Sequence, residues 1–498
     1  MRFNKKIILL FFLLLSVISL SPTWAYINYS LEEPFPGLAG NSVVEIIYDG
    51  ANVWVGTGNG ISVSSDGGST WLSFDHTNGL NQDGVSAIGY KNSALWVAIS
   101  YNQTIDGVPI PYGAGFNKTT NFGIEWDSLF PEQASKVGKL AYDITFSDTT
   151  VWAACFYGGL IRSKDKGLNW ENVFVDSTAK VDYDSGYYED YRNRLFSVVT
   201  DTSNDTTFIW AGTAAGIFKF VYTVSDSTDT TDDADTVIGY VQNDTLPSIS
   251  GNFVVSLAVQ KLNGDKKIVW AGTQPTYYGT NAASYTTDEG ATWSLTLEGD
   301  KVWNFDFSGN GSGGEDSIVW AATSSGLKKS TDFGQNWEVK NFMQDNDQPD
   351  QQILNTEFYA VRVVGDSIIW AGNFDGVVKS TDYGNTWKVY RSFVPIGSPE
   401  AKDSYAYPSP FSPLIANGAT RIHYKPKSDG DVTIKIYDFE MKLVKTILEN
   451  GSRTGGVEYD QTWDGTNEKG DVVANGIYFF KIEGPGGQKE WGKIGVLK

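Results

Sequence analysis

The strongest constraint on this chain is a short strand that recurs seven times. It reads Val53-Trp54-Val55-Gly56-Thr57, Leu95-Trp96-Val97-Ala98, Val151-Trp152-Ala153-Ala154, Ile209-Trp210-Ala211-Gly212-Thr213, Val269-Trp270-Ala271-Gly272-Thr273, Val319-Trp320-Ala321-Ala322-Thr323 and Ile369-Trp370-Ala371-Gly372. The tryptophans are 42, 56, 58, 60, 50 and 50 residues apart. A repeat of this length is one supersecondary unit, and it buries its apolar face only against its neighbours. An alternating strand ending in a polar turn precedes each copy, as in Val43 to Tyr48 before Asp49-Gly50.

A second motif follows most copies. It is Ser64-x-Asp66-x-Gly68-x-Thr70-Trp71, and it returns around Asp165, Asp288, Asp332 and Asp382. A decayed copy runs from Thr119 to Trp126, and the fourth repeat has none. Ser, Thr and Asp side chains bond nearby backbone N–H groups, and Gly supplies a positive φ, so the motif reads as a tight hairpin. Each repeat is then four antiparallel strands, and seven such units predict a seven-bladed β-propeller. Thirteen of the 17 tryptophans fall in these two motifs, which assigns them to packing within and between blades.

These residues resemble the Asp-box repeat family of sialidases, xyloglucanase-type glycosidases and sortilin-like receptors. The resemblance spans roughly residues 33–394 and implies that Asp66, Asp165, Asp288, Asp332 and Asp382 are structural. It also implies a non-catalytic binding protein or, as the alternative, a glycoside hydrolase of the same propeller class. Sialidases use an arginine triad and an Arg-Ile-Pro motif. Residues 26–394 hold only Arg162, Arg192, Arg194, Arg362 and Arg391, and no Arg-Ile-Pro. A hydrolase would need a facing carboxylate pair, for which Asp106, Glu189 and Asp190 are the candidates. The expectation is no catalytic residue.

Blade strands are named A to D from the axis outward. The B–C and D–A loops then share one face, the top, and the Asp turns mark the other. Long insertions at 99–116, 175–193, 274–283 and 340–356 all project from the top. They carry Tyr101, Tyr112, Tyr187, Tyr188, Tyr191, Tyr277 and Tyr278. Flat rings with polar tips suit a glycan or a surface protein, so these seven are the candidate ligand-binding residues.

Lys and Arg number 38 against 59 Asp and Glu, a net charge of −21, which repels nucleic acid. One Cys and two His exclude a disulfide and a Cys/His zinc site, and no metal or cofactor is expected. The acidic stretch from Asp226 to Asp235 lacks Ca²⁺-loop spacing and reads as a solvated tip. Arg2, Lys5 and Lys6, an apolar run and Thr23-Trp24-Ala25 predict a signal peptide over 1–25, with no membrane span in the mature chain. The predicted location is secreted or at a bacterial cell surface.

The propeller is expected over 26–394 and a linker over 395–403. A small β-sandwich over 404–498 follows. Its Tyr407-Pro408-Ser409-Pro410-Phe411 opening, Trp463-Asp464-Gly465-Thr466-Asn467 turn and Gly476-Ile477-Tyr478-Phe479 strand resemble the FlgD-type Ig-like domain and type IX secretion sorting domains. That resemblance implies a partner in the secretion machinery. A strand near Tyr26 to Leu31 is expected to complete the last blade. His423 is placed in the sandwich, and Cys155 is read as a packed apolar residue.

Overall fold

The computed structural model describes residues 34–131, 140–156, 158–173, 190–203, 205–223, 234–243, 247–263, 266–276, 280–308, 317–393, 404–415 and 418–498. The expected leader, the 395–403 linker and the 26–31 strand lie outside them. Seven antiparallel sheets form a propeller, and two further sheets form a C-terminal sandwich. The innermost A strands are Val43–Tyr48, Gly84–Lys91, Ala141–Ser147, Leu195–Ser203, Val254–Lys261, Val302–Ser308 and Phe358–Val364. Each pairs with a B strand carrying the recurrent Trp, and C and D follow outward.

The two sequence motifs interlock between blades. In the Asp turn of blade 1, Asp66 accepts hydrogen bonds from Thr70 N (2.8 Å) and Thr70 Oγ1 (2.7 Å), while Ser64 Oγ accepts from Gly68 N (2.7 Å). Blades 3, 5, 6 and 7 repeat this pattern through Asp165, Asp288, Asp332 and Asp382. The bond from Thr70 pulls the Asp66 carboxyl down to about 2, so this turn stays charged well into acid. The turn holds its Gly in the left-handed region, and the Trp of the preceding blade lies against that Gly. A Cβ built on Gly384 would sit 2.6 Å from Trp320, one on Gly167 2.7 Å from Trp96, and one on Gly68 2.8 Å from Trp370. No side chain fits there. The closing Trp of the turn meets the same neighbour edge to face, as in Trp71–Trp370 at 5.8 Å and Trp170–Trp96 at 6.3 Å.

A lysine completes three of these joints. Lys219, Lys329 and Lys379 lie opposite Trp210, Trp320 and Trp370 on the C strands. Each spans its ring and donates to a carbonyl of the next blade's turn: Glu289 (3.3 Å), Tyr383 (3.1 Å) and Gly67 (2.6 Å) respectively.

The last of these joints closes the ring. Blade 7 draws all four strands from 358–390 and packs directly on blade 1, where Arg362 donates to Ile46 O at 3.2 Å. Asn41 and Ser392 exchange amide–backbone bonds of 2.8 and 2.6 Å. The first described strand, Phe35–Pro36, joins the outer edge of blade 1 as a fifth strand. Among the described residues blade 7 has four strands of its own and meets blade 1 by side-chain interlock; the strand expected over 26–31 lies outside them. Cys155 is fully buried on the blade 3 B strand, and burial pushes its thiol far up.

The sandwich pairs a three-stranded sheet (Ser404–Tyr407, Thr420–Tyr424, Tyr459–Trp463) with a four-stranded one (Gly430–Tyr437, Leu443–Arg453, Gly476–Gly484, Gln488–Val496). It docks on blade 7 through buried charges. Arg391 bridges Asp375 (3.0 Å) and Asp460 (2.8 Å), and Arg421 reaches Asp375 (2.6 Å). His423 lies between Asp460 (2.9 Å) and Glu458 (3.0 Å) and is 1% exposed. Burial lowers its pKa, but the bonds and charges of the two carboxylates outweigh burial and raise it above the usual 6.5.

Two outcomes follow. Gly384→Ala meets both a positive φ and the Trp320 ring, and is expected to cost about 2–4 kcal/mol in chemical denaturation. Gly365→Ala, also at positive φ but with open space around it, is expected to cost only about 1–2 kcal/mol; equal costs would contradict the interlock. For His423 the folded pKa is the higher one, so its stabilisation is complete below 6.5 and is lost as pH rises through the folded value. Hydrogen exchange in 420–424 and 458–461 should therefore accelerate beyond the intrinsic rate as pH rises from below 6.5 through the folded value, and His423→Gln should remove that dependence.

Candidate functional site

Every A strand is irregular at the same place. The register with its B strand skips one residue at Val44, Ser86, Tyr142, Phe196, Val255, Trp303 and Tyr359. A β-bulge at that point gives two consecutive residues to one partner position and re-aims a side chain. All seven bulged residues line one cavity of about 490 Å³ at the top end of the channel, with Phe253 and Phe374 beside them. The residue before each bulge is buried: Val43, Val85, Ala141, Leu195, Val254, Val302 and Phe358. The bulge thus lets the strand keep its apolar contact and still present a side chain to the lumen.

The rim falls into two aromatic arcs. Tyr142 stacks on Phe196 at 5.9 Å, and Phe196 meets Phe253 at 4.7 Å. On the other side Trp303 lies 5.2 Å from Tyr359, which stacks on Phe374 at 4.2 Å. Trp303 Nε1 donates to Glu357 at 2.9 Å, which fixes the indole. Burial, with Glu357 adding its charge, pushes the Tyr359 hydroxyl above its usual range, so it is a neutral donor. Gln274 also lines the mouth and is 7% exposed; its Nε2 is buried, with no hydrogen-bond partner among the described residues.

Residues just past the bulges staple the blades together. Glu45 accepts from Ile88 N (2.5 Å), Asp143 from Val198 N (2.8 Å) and Asn304 from Val361 N (3.1 Å). Ser197 Oγ accepts from Leu257 N (2.9 Å), and Ser256 Oγ donates to Val302 O (2.9 Å). Deeper in the channel Asp306 accepts from Val363 N at 2.7 Å and lies 3.5 Å from Arg362. Burial raises the pKa of Glu45, and the nearby Asp143 raises it further; burial also raises Asp143. The lumen carboxylates are therefore engaged with backbone amides, and the arrangement is one for holding blades.

Of the tyrosines expected from sequence, Tyr101, Tyr112 and Tyr191 lie among the described residues. Tyr101 and Tyr112 face each other across a β-hairpin extension of blade 2, 5.8 Å apart and stacked. Tyr191 is 56% exposed, with the Arg194 guanidinium 4.8 Å from its ring; Arg194 also reaches Phe156, which packs on Tyr142 and Phe196. None of these three lines the 490 Å³ cavity. Tyr187, Tyr188, Tyr277 and Tyr278 lie outside the described residues. Asp190 caps a short 3₁₀ turn and pairs with Arg192 at 2.6 Å, and Asp106 sits at the hairpin tip. The Trp repeat does not reveal the rim aromatics, which lie on the preceding strand; Tyr142, Phe196, Trp303 and Tyr359 share one repeat position, directly after the buried residue of each A strand.

The FlgD Ig-like domain family matches residues 412–488. No curated protein matches the sequence. Among solved structures, the GH74 xyloglucanase of Xanthomonas campestris is 12% identical, with a TM-score of 0.51 over 78% of this chain and 59% of that one. The GH74 enzyme of Niastella koreensis is 11% identical, with a TM-score of 0.50 over 93% of this chain and 74% of that one. PorZ, described as an essential bacterial surface component of the type IX secretion system of Porphyromonas gingivalis, is 14% identical, with a TM-score of 0.46 over 93% and 60%. The chain thus spans about three-fifths of PorZ and of the Xanthomonas enzyme. At these identities the likeness concerns the fold: a β-propeller followed by an Ig-like domain.

Glu45→Gln keeps the acceptor for Ile88 N and removes an ionisation that burial opposes. A raised carboxyl loses its stabilising contribution as pH rises above 4.5 through the folded value. The variant is expected to match wild type near pH 4.5 and to become progressively more stable than it as pH rises toward about 8 in thermal unfolding, with no further divergence above that. Glu45→Ala leaves the amide unpaired and should cost about 1–3 kcal/mol.

Proposed function

We propose that this chain is an exported, non-catalytic binding protein. Its ligand, a glycan or a protein, enters the aromatic mouth on the B–C and D–A face of a propeller spanning 26–394. Residues 404–498 act as the sorting domain that engages secretion machinery, and the protein is secreted or held at the bacterial surface. The observation that carries this reading is the convergence of seven bulged residues, four of them aromatic, on one cavity. Flat rings with the neutral Tyr359 hydroxyl beside them suit a ligand with an apolar face and acceptor oxygens. Tyr101, Tyr112, Tyr187, Tyr188, Tyr191, Tyr277 and Tyr278 are proposed as its outer contacts. The FlgD-like match and the sorting-type motifs support the role of the C-terminal domain.

The test is retention of the purified chain on immobilised polysaccharides and on outer-surface protein extracts. Trp303→Ala and Tyr359→Ala are each expected to weaken the interaction about tenfold or more with the fold intact. Gln274→Ala should weaken it several-fold. Unchanged retention in all three would move the site elsewhere. Release of reducing ends from a retained polysaccharide would favour the glycoside hydrolase alternative.

A further inference from the structure

The insertion over 99–116 is two strands rather than a loop. Ala94–Ile105 and Val108–Thr119 continue beyond the blade as a hairpin. Its turn is Asp106-Gly107, with φ of 51° and 81°, and Ile105 pairs with Val108. A two-residue turn with both φ positive makes the flanking pair hydrogen-bonded, and pairs then alternate outward. Ile105/Val108, Gln103/Ile110 and Tyr101/Tyr112 bond across the hairpin. Thr104/Pro109 and Asn102/Pro111 do not, so their backbone groups point away from the partner strand.

The two outer edges differ. On the 108–119 strand the outward positions are Pro109 and Pro111, which have no N–H, and proline on an edge blocks strand addition. On the 94–105 strand the outward positions are Asn102 and Thr104, with both N–H and C=O. Among the described residues the last pairing on this side is Gly84 with Ser100, where the A strand begins. In the sheet order the 94–105 strand is on the axis side. Its open edge therefore continues the A-strand row upward, above Val85 and Ser86 of the mouth. One face of the hairpin carries Tyr101, Ile105, Val108, Ile110 and Tyr112, with Gln103 the one polar side chain among them; Ile105 is 39% and Val108 58% exposed. Asp106 stands at the tip of the row and Asp83 at its foot, where Asp83 also holds His76 (Nδ1 at 2.5 Å and backbone N at 3.0 Å).

We infer that the ligand of this face is an extended polypeptide that adds as a strand to Asn102–Thr104. This rests on the mouth reading and narrows it. Main-chain bonds to the open edge give affinity, and alternate side chains reach the apolar hairpin face and the aromatic rim. The two aspartates favour a segment with Lys or Arg at its ends. A glycan has no repeating N–H and C=O to match the edge.

The test uses the full chain and a phage-displayed library of random peptides of about twelve residues. Selected peptides are expected to alternate apolar residues and carry a basic end. Binding should protect the Asn102 and Thr104 amides from hydrogen exchange. It should fall at least tenfold for Thr104→Pro, and tenfold or more when alternate peptide nitrogens in one register are methylated but not in the other. The methylated pair leaves the protein untouched, so misfolding cannot mimic the result. Peptides that bind without amide protection and tolerate methylation in both registers would overturn strand addition. No selected peptide, with a polysaccharide retained in a Trp303-dependent way, would overturn it too while leaving the mouth as a glycan site. Strand addition unaffected by Trp303→Ala would separate edge from mouth and refute the joint site.

Discussion

The structure depends on the contact between the tryptophan of one blade and the glycine of the next blade's Asp turn. A four-stranded blade cannot bury its faces alone, and seven of them must meet at a fixed angle to close. The Asp and Ser side chains hold the turn in a conformation only glycine tolerates, and the absent Cβ is the space the indole fills. Edge-to-face partners such as Trp71–Trp370 and Trp337–Trp270 fix the angle. Each aromatic pair adds about 0.5–1.5 kcal/mol beyond its buried area, and repetition around the ring makes the sum large. The Asp residues thus act on function only through the frame. Where blade 4 lacks the turn, Trp152 of blade 3 meets Tyr222 of blade 4 at 5.7 Å instead; at the intact blade 5 turn, Tyr240 stacks on Trp210 at 5.6 Å and carries the contact to Gly290.

That frame determines what can be displayed. Once the outer half of each blade is locked, the A strand must bury one residue, staple the next blade with another and still face a narrow lumen. A bulge satisfies all three. Ring symmetry supplies seven equivalent rim positions, and sequence makes them unequal: Val44, Ser86 and Val255 are small, while Tyr142, Phe196, Trp303 and Tyr359 are large. The result is a mouth with two aromatic arcs above a lumen whose carboxylates are held by backbone amides. The sandwich is clamped to blade 7 by the Arg391–Asp460 and Arg421–Asp375 pairs.

Much of this was legible in the residues. Seven Trp strands, five Asp turns and the Trp463 turn of the sandwich follow from periodicity and turn chemistry, which are local properties. The rim was not, because a bulge is a relation between two strands and leaves only a doubled apolar pair such as Val43-Val44 or Leu195-Phe196 in the sequence. The 99–116 segment reads as a loop because Pro109 and Pro111 argue against a strand, yet both occupy edge positions where proline costs nothing. The buried ion network was equally hidden: Arg391, His423 and Asp460 are far apart in sequence, and nothing local marks them as partners.

The account turns on the bulges aiming their side chains into one mouth. Cys155 is buried and its thiol strongly unreactive, so a single introduced cysteine can be read by its rate of modification. With Ser86→Cys, Val255→Cys and the neighbouring Ala87→Cys and Val254→Cys, the account predicts fast labelling at the first two positions, at least tenfold slower labelling at the last two, which are buried and outside the cavity lining, and protection of the first two by bound ligand. Fast labelling at Ala87 or Val254, or slow labelling at Ser86 and Val255, would mean regular A strands and no shared mouth.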